Sequence, residues 1–559
     1  MPKMFYPTAE KLRFLLEMIH NRELALPDFQ RDFVWDPRAT DELIESLARN
    51  FPAGSLLRIR NSAEFMFAPR QFAGAPSLDG HIPPYLTLDG QQRLTSLYQA
   101  FYGAGEHRYL FDMRPLEEDI DLEDRAFYER KDRAEKRFGN IEAQAEQLVF
   151  PMARLFGIKF GFQGWLDEVL EVRPDPQEEL KTLKSNLREV HEKWLRPIEE
   201  YEFPMVTLEE TTSAEAICTI FETLNRTGVK LGVFDLLAAR FWPEKVRLRD
   251  MWQTAKLLYR QLDDFKIDPY YILQAVALYA ADGAPSCKRG DVLELKVDQI
   301  QRGWKPIVDA FAQILQILRT DCGVLLPKWL PYRTILIPMA AAWAVQRGAV
   351  GPRAGVNRHK LVRWFWCSVF AQAYERGPNS QAAKDFGELK RWMKEDKPEP
   401  ETVTDFTFDP TVLRQTTTRQ RAVYRGTIAL VLHHGARDFH RAAPLNANTI
   451  VGYKVDDHHI FPQAYLRDHQ PDVPPTLRDC VLNRTLIDRE TNIRIKSRPP
   501  ADYFSEIGEM LGTEKTKKLL SSHLLPIGPN SPLQRNEFEQ FLQARQRAIG
   551  QMIEAVTTA

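Results

Sequence analysis

The sequence predicts an α+β protein of several domains, mostly helical. Three observations predict it. At 559 residues the chain is too long for one hydrophobic core, which points to roughly two to four domains. Apolar residues recur at helical spacing over most of the length, most densely between 250 and 393. Alternating segments of strand type are short and few, within 51–60, within 84–90 and around the adjacent histidines His458 and His459.

Taken in order, "TAEKLRFLLEMIH" (8–20) reads as a helix with Thr8 as cap and Glu10 in its first turn. "LALPDFQRDFVWDP" is a short extended piece that ends in a turn, and "RATDELIESLARN" a second helix. "FPAGSLLRIR" turns into a strand, and "PYLTLDG" is a strand ending at Asp89-Gly90. "QQRLTSLYQAFYG" follows as an amphipathic helix closed by Gly103. The charged stretch 105–200 reads as a helical insertion on a first domain spanning 1–240, and 216–241 as helix, tight turn at Asn225–Gly228, and helix. Residues 241–393 form a helical connector, the Pro- and acid-rich 394–410 a linker, and 411–559 the last domain.

Composition removes several classes. Hydrophobic content of 44% and charged content of 27% are those of a soluble globular protein. No run of eighteen apolar residues occurs, and the start lacks a basic region followed by an apolar core, so the expected location is the cytoplasm. The five cysteines are scattered without a CxxC, against zinc ribbons and disulfide frameworks. A net charge of −1 excludes a polycation, although 411–500 holds 14 Lys and Arg against 8 Asp and Glu, a bias compatible with nucleic acid.

The chemistry-bearing residues fall in two places. In "VDDHHIFP", two histidines stand behind two aspartates and before a proline; Asn483 lies 24 residues after His459, and Asn492 nine further on. A helix starting near Asp488 brings Asn492 and Lys496 onto one face. Strand, loop and helix then form a ββα hairpin able to hold one divalent ion. Adjacent side chains on a strand diverge, which would send one histidine to the ion and the other to a water. A histidine titrates near neutral pH and suits a general base. An Asn oxygen suits Mg²⁺ or Mn²⁺. In the N-terminal part, Gln30-Arg31 and Asp89-Gly90-Gln91-Gln92-Arg93 each place a Gln-Arg pair where extended chain turns. The first N–H groups of the helix after Gly90, with the forks of Arg93 and Arg31, form a phosphate cradle without a P-loop.

The pattern Asp-His-His-Ile-Phe-Pro, Asn-Arg-Thr and Glu-Thr-Asn-Ile-Arg-Ile-Lys resembles the HNH (ββα-metal) nucleases. That resemblance implies His459 as general base, His458 and Asn492 as metal ligands, Asn483 as holder of the active-site loop and Lys496 as a phosphate contact. Asp457 is either a further ligand or an orienter of histidine. The N-terminal segments, together with "FETLNRTGVKLGVFDLL" and its Asn225, are similar to the N-terminal domain of GmrSD-type restriction enzymes, with BrxU and SspE as relatives of like layout. This implies a ParB/sulfiredoxin-like domain that binds and hydrolyses an NTP (GTP or ATP) at Gln30, Arg31 and Asp89 to Arg93; Asn225 is either a further nucleotide or DNA contact or the cap of the helix that follows it. The expected function is an antiphage DNA endonuclease acting on double-stranded, modified phage or foreign DNA; a single site favours a homodimer or successive nicks. A nucleotide-dependent DNA-binding regulator and an RNase or toxin are the alternatives.

Overall fold

The computed structural model describes residues 5–28, 30, 32–61, 67–116, 120–157, 161–209, 216, 232–346, 352–419, 421–452 and 455–558. The fold is α+β and divides into two units, Met1–Leu248 and Arg249–Ala559. Among the described residues no helix is long and apolar enough to cross a membrane. Cys287, Cys322, Cys367 and Cys480 are buried and free.

The first unit is built on a mixed sheet of six strands. These are β1 (Phe5–Lys11), β2 (Leu24–Pro27), β3 (Leu56–Arg60), β4 (Pro69–Arg70), β5 (Tyr85–Asp89) and a strand Glu202–Leu208 that returns from far along the chain. Their order across the sheet is β1, Glu202–Leu208, β3, β5, β2, β4. Helices α1 (Leu12–His20), α2 (Pro37–Ala48) and α3 (Gln91–Tyr102) share its hydrophobic core. Leu12, Leu15, Leu16 and Ile19 of α1 are all buried, the stripe expected of an amphipathic helix. Asp36 caps α2 by accepting the Ala39 N–H at 2.9 Å.

Two expectations are corrected here. Thr8 does not cap α1, which starts at Leu12. Phe5–Lys11 is instead paired antiparallel along its length with Glu202–Leu208, and this long-range pairing overrides the local helical spacing. The segment 105–200 is not purely helical either. It contains a three-stranded sheet, β6 (His107–Asp112) between β7 (Ala126–Arg130) and β8 (Val149–Pro151). Phe111, Phe150, Trp165, Leu187 and Ile198 from this segment share one hydrophobic core with Leu12, Leu47 and Leu97, so it is an integral part of the unit. Of the expected helix pair over 216–241, Val233–Phe241 is helical; Asn225 and its turn lie outside the described residues.

In the second unit the helical region and the histidine segment form one body. Helix α4 (Val297–Asp321) buries a long apolar face and meets α5 (Pro352–Phe370), and α5, α6 (Arg421–His433) and the last helix, Phe538–Thr558, pack on one another. Arg363 of α5 donates through Nε to the Thr557 carbonyl at 2.8 Å, and Arg425 of α6 through Nη1 to Leu330 O at 3.0 Å. The stretch 394–410 is packed rather than a free linker: Val403 is buried, and Glu399 pairs with Arg363 at 3.0 Å.

Gly90, at the junction of β5 and α3, has φ of 96°, and a Cβ there would stand 2.1 Å from Cδ2 of the buried Leu56. Gly90→Ala combines left-handed backbone with a core clash, and is expected to destabilise the first unit by about 2 kcal/mol. Urea unfolding of the full chain would show this as an earlier transition with unchanged slope.

Candidate functional site

The C-terminal site grows from a two-stranded hairpin. β9 (Asp456–His459) pairs antiparallel with β10 (Arg484–Ile487), His458 opposite Thr485 and His459 opposite Arg484. Beyond β9, Ile460 and Phe461 are fully buried, Phe461 against Phe538 and Phe541 with ring centroids 5.2 and 5.1 Å away. Pro462 then opens helix α7 (Gln463–His469). Asn483, also fully buried, closes the hairpin base. Its Oδ1 accepts the Phe461 N–H at 2.8 Å, and its Nδ2 donates to Phe461 O at 3.0 Å and Arg478 O at 2.8 Å. Asp488 caps helix α8 (Arg489–Ile495), which carries Asn492.

The two histidines face apart, as strand geometry requires. His458 is buried, and its Nδ1 lies 2.8 Å from Asn492 Oδ1, while its Nε2 is buried without a partner. Burial pushes its pKa down to about 3, so the ring is neutral near neutral pH. A neutral imidazole beside an amide oxygen is a donor set for a divalent ion, since a ligating histidine must be unprotonated. The 2.8 Å contact is a hydrogen bond in which the ring donates its Nδ1 proton to the amide oxygen, and an ion held by both groups would take the place of that proton. Among the described residues no group of three or more His, Cys, Asp or Glu is arranged to hold a metal ion. An ion here would be held by His458 and Asn492.

His459 faces a polar cluster. Its Nε2 is 2.9 Å from Asp479 Oδ1 and 3.0 Å from Gln463 Nε2. One nitrogen cannot donate to the carboxylate and accept from the amide together. With the proton on Nε2, directed at Asp479, Nδ1 is the basic nitrogen. Burial first, and then the Arg484 cation, lower the His459 pKa, while Asp479 draws it back up. Arg484 reaches Asp479 Oδ1 at 2.5 Å and Asp457 Oδ1 at 3.3 Å, and Asp457 also accepts from the Tyr424 hydroxyl. Sequence reasoning missed Asp479, Gln463, Arg484 and Tyr424. The one local signal was Gln463, one helical turn after His459.

One of the two readings of Asp457, that of a metal ligand, does not fit, and Lys496 is placed differently from expectation. Asp457 stands with His459 and Arg484 on the face of β9 opposite His458 and Asn492, by the same period-two alternation, and is not placed to share an ion with them. Lys496 is not aligned with Asn492: α8 ends at Ile495, and Lys496 has φ of 55°, which takes it off the helical path with its side chain exposed.

In the first unit, the polar residues around Gly90 fasten loops. Gln30 Nε2 donates to Thr87 O at 2.7 Å and Leu88 O at 2.9 Å. Gln92 accepts the Val34 N–H at 3.0 Å and donates to Asp32 O at 3.1 Å. Arg93 does not present a free fork to an anion: Nη1 donates to Ala53 O at 2.6 Å and Nη2 to Ser55 O at 2.8 Å. Gln91 is buried, Asp89 is half exposed, and Arg31 lies outside the described residues. The loops 32–34 and 53–55 are thus drawn around the amino end of α3.

Comparison with known proteins bears on both units. Residues 13–242 match the family model described as GmrSD restriction endonuclease, N-terminal domain. Over 566 aligned residues the chain is 29% identical to the uncharacterized protein MJ0686 of Methanocaldococcus jannaschii, covering 92% of this chain and 91% of that protein.

Beneath the hairpin, His523 is fully buried. Its Nδ1 lies 2.6 Å from Thr485 Oγ1 and its Nε2 2.5 Å from Arg437 O. Burial lowers its pKa to about 4. The folded chain thus refuses a proton that the unfolded chain takes up near pH 6.5. The resulting stability is complete above that pH and is lost as the pH falls towards 4, by about 1.4 kcal/mol per pH unit. Urea midpoints of the second unit measured between pH 7 and pH 4.5 should therefore fall, and His523→Gln should flatten that decline.

Proposed function

We propose that this chain is a restriction endonuclease of the GmrSD type, which cuts DNA with its second unit and uses its first to bind and hydrolyse an NTP and to sense the DNA. The observation that carries the cutting reading is the divided pair on β9: His458 beside Asn492, His459 beside Asp479. The match of residues 13–242 supports the rest.

The chemistry asked of each residue is limited and specific. Hydrolysis of a phosphodiester requires a water to lose its proton as it attacks phosphorus. Asp479 holds the Nε2–H of His459, so Nδ1 takes that proton, and the imidazolium formed is stabilised by the same carboxylate. Arg484 holds Asp479 in place and balances its charge. Asn483 keeps Ile460 and Phe461 fixed behind the histidines. Mg²⁺ or Mn²⁺ held by His458 and Asn492 would supply a Lewis acid for the scissile phosphate and its leaving oxygen. In the first unit, Arg93 and Gln92 set the shape of the loops around α3, where an NTP phosphate would meet backbone N–H groups.

The test is cleavage by the purified chain of unmodified, hydroxymethylated, glucosylated and phosphorothioated duplexes, with Mg²⁺ or Mn²⁺ and with or without GTP or ATP. Cutting that depends on the metal and on one modification supports the proposal. NTP hydrolysis without cutting of any duplex would instead favour a nucleotide-dependent regulator. His459→Ala is expected to slow cleavage by at least about 10²-fold. Asp479→Asn, which removes the orienting charge, should slow it while leaving duplex binding in a gel-shift assay intact.

A further inference from the structure

Asp438 belongs to neither strand nor helix of the hairpin, yet it is fully buried and accepts four hydrogen bonds. Two come from its own loop, the N–H groups of His440 at 3.1 Å and Arg441 at 2.9 Å, both on Oδ1. The other two come from α8: the Asp488 N–H at 2.7 Å on Oδ2 and the Thr491 hydroxyl at 2.9 Å on Oδ1. Asp488 is the cap of α8, and Asn492 hydrogen-bonds back to its carbonyl at 3.0 Å; Thr491 is the immediate neighbour of Asn492. The carboxylate therefore grips the turn that carries Asn492 at two points.

The next residue reaches the other half of the pair. The Phe439 ring meets the His458 ring edge-on at 6.3 Å. Arg441 adds a further tie, with Nε 2.8 Å from Asp488 Oδ2 and Nη2 2.6 Å from Glu490 Oε2. A helix of seven residues has little stability of its own, so outside contacts fix its position and rotation.

We propose that Asp438 is the positioning residue of the His458–Asn492 pair, holding the Asn492 oxygen beside His458 so that both can reach one hard divalent ion. The proposal rests on the metal-dependent reading above and extends it to a loop that no sequence pattern marks. Partners of this kind affect metal affinity by about 10- to 100-fold when removed.

The experiment is a Mn²⁺ titration of the full-length protein followed by electron paramagnetic resonance, with thermal melting alongside. Wild type, His458→Ala, Asp438→Asn and Thr491→Val are compared. Thr491→Val deletes one of the four bonds without disturbing the buried carboxylate, and guards against failure of Asp438→Asn to fold. The expected result is a Mn²⁺ site lost in His458→Ala and weakened about 10-fold in the folded Asp438 or Thr491 variant, at little change in melting temperature. A His458-dependent site that both variants bind as tightly as wild type would overturn the role of Asp438 and leave the metal reading standing. Absence of any His458-dependent Mn²⁺ binding in wild type would overturn both.

Discussion

The amide of Asn483 sets the frame on which the C-terminal site is built. It accepts the Phe461 N–H and donates to the carbonyls of Phe461 and Arg478, all in a fully buried position. These bonds fix where β9 ends, and so which residues of the strand face which way. A slip of one residue would exchange the surroundings of His458 and His459. His458 would then leave Asn492, and His459 would leave Asp479. The hydroxyl of Tyr503 on the Ile460 carbonyl at 2.7 Å and the packing of Phe461 on the last helix add to the same lock.

A second theme is the use of arginine to satisfy backbone carbonyls where no sheet or helix does. Arg125 donates to the carbonyls of Asp112, Arg114, Pro115 and Ile120 from a fully buried position. Arg93 does the same for Ala53 and Ser55, and Arg545 for Leu482 at 2.6 Å. Burial lowers the Arg545 pKa to about 9, a measure of how far from water this cation is held. A guanidinium has several donors in a rigid plane, and carbonyls left over by irregular chain are its natural partners.

What the sequence made legible follows from the range of the forces involved. The strand with its two histidines, the start of α8 at Asp488 and the breaks at Gly90 and Gly103 are all set by neighbours in the chain, and all are found where local pattern puts them. The strand over Phe5–Lys11 was not legible, because its partner lies some 200 residues away. Asp479 was hidden for a related reason: nothing near it in the sequence tells that the hairpin brings it to His459. Arg93 stands at the expected turn, but its fork is directed by the carbonyls of a loop 40 residues earlier. Lys496 was misplaced by a single backbone angle at the end of α8.

The last helix of the second unit is pegged at two carbonyl bonds of opposite sense. Near one end it offers the Thr557 carbonyl to Arg363 of α5; twelve residues earlier it sends Arg545 to the Leu482 carbonyl beside Asn483. At a rise of 1.5 Å per residue these pegs stand about 18 Å apart on a stiff rod. A loop between them would absorb displacement; a helix passes it on as tilt. The last helix thereby ties α5 and the turn beside Asn483 to one rigid element.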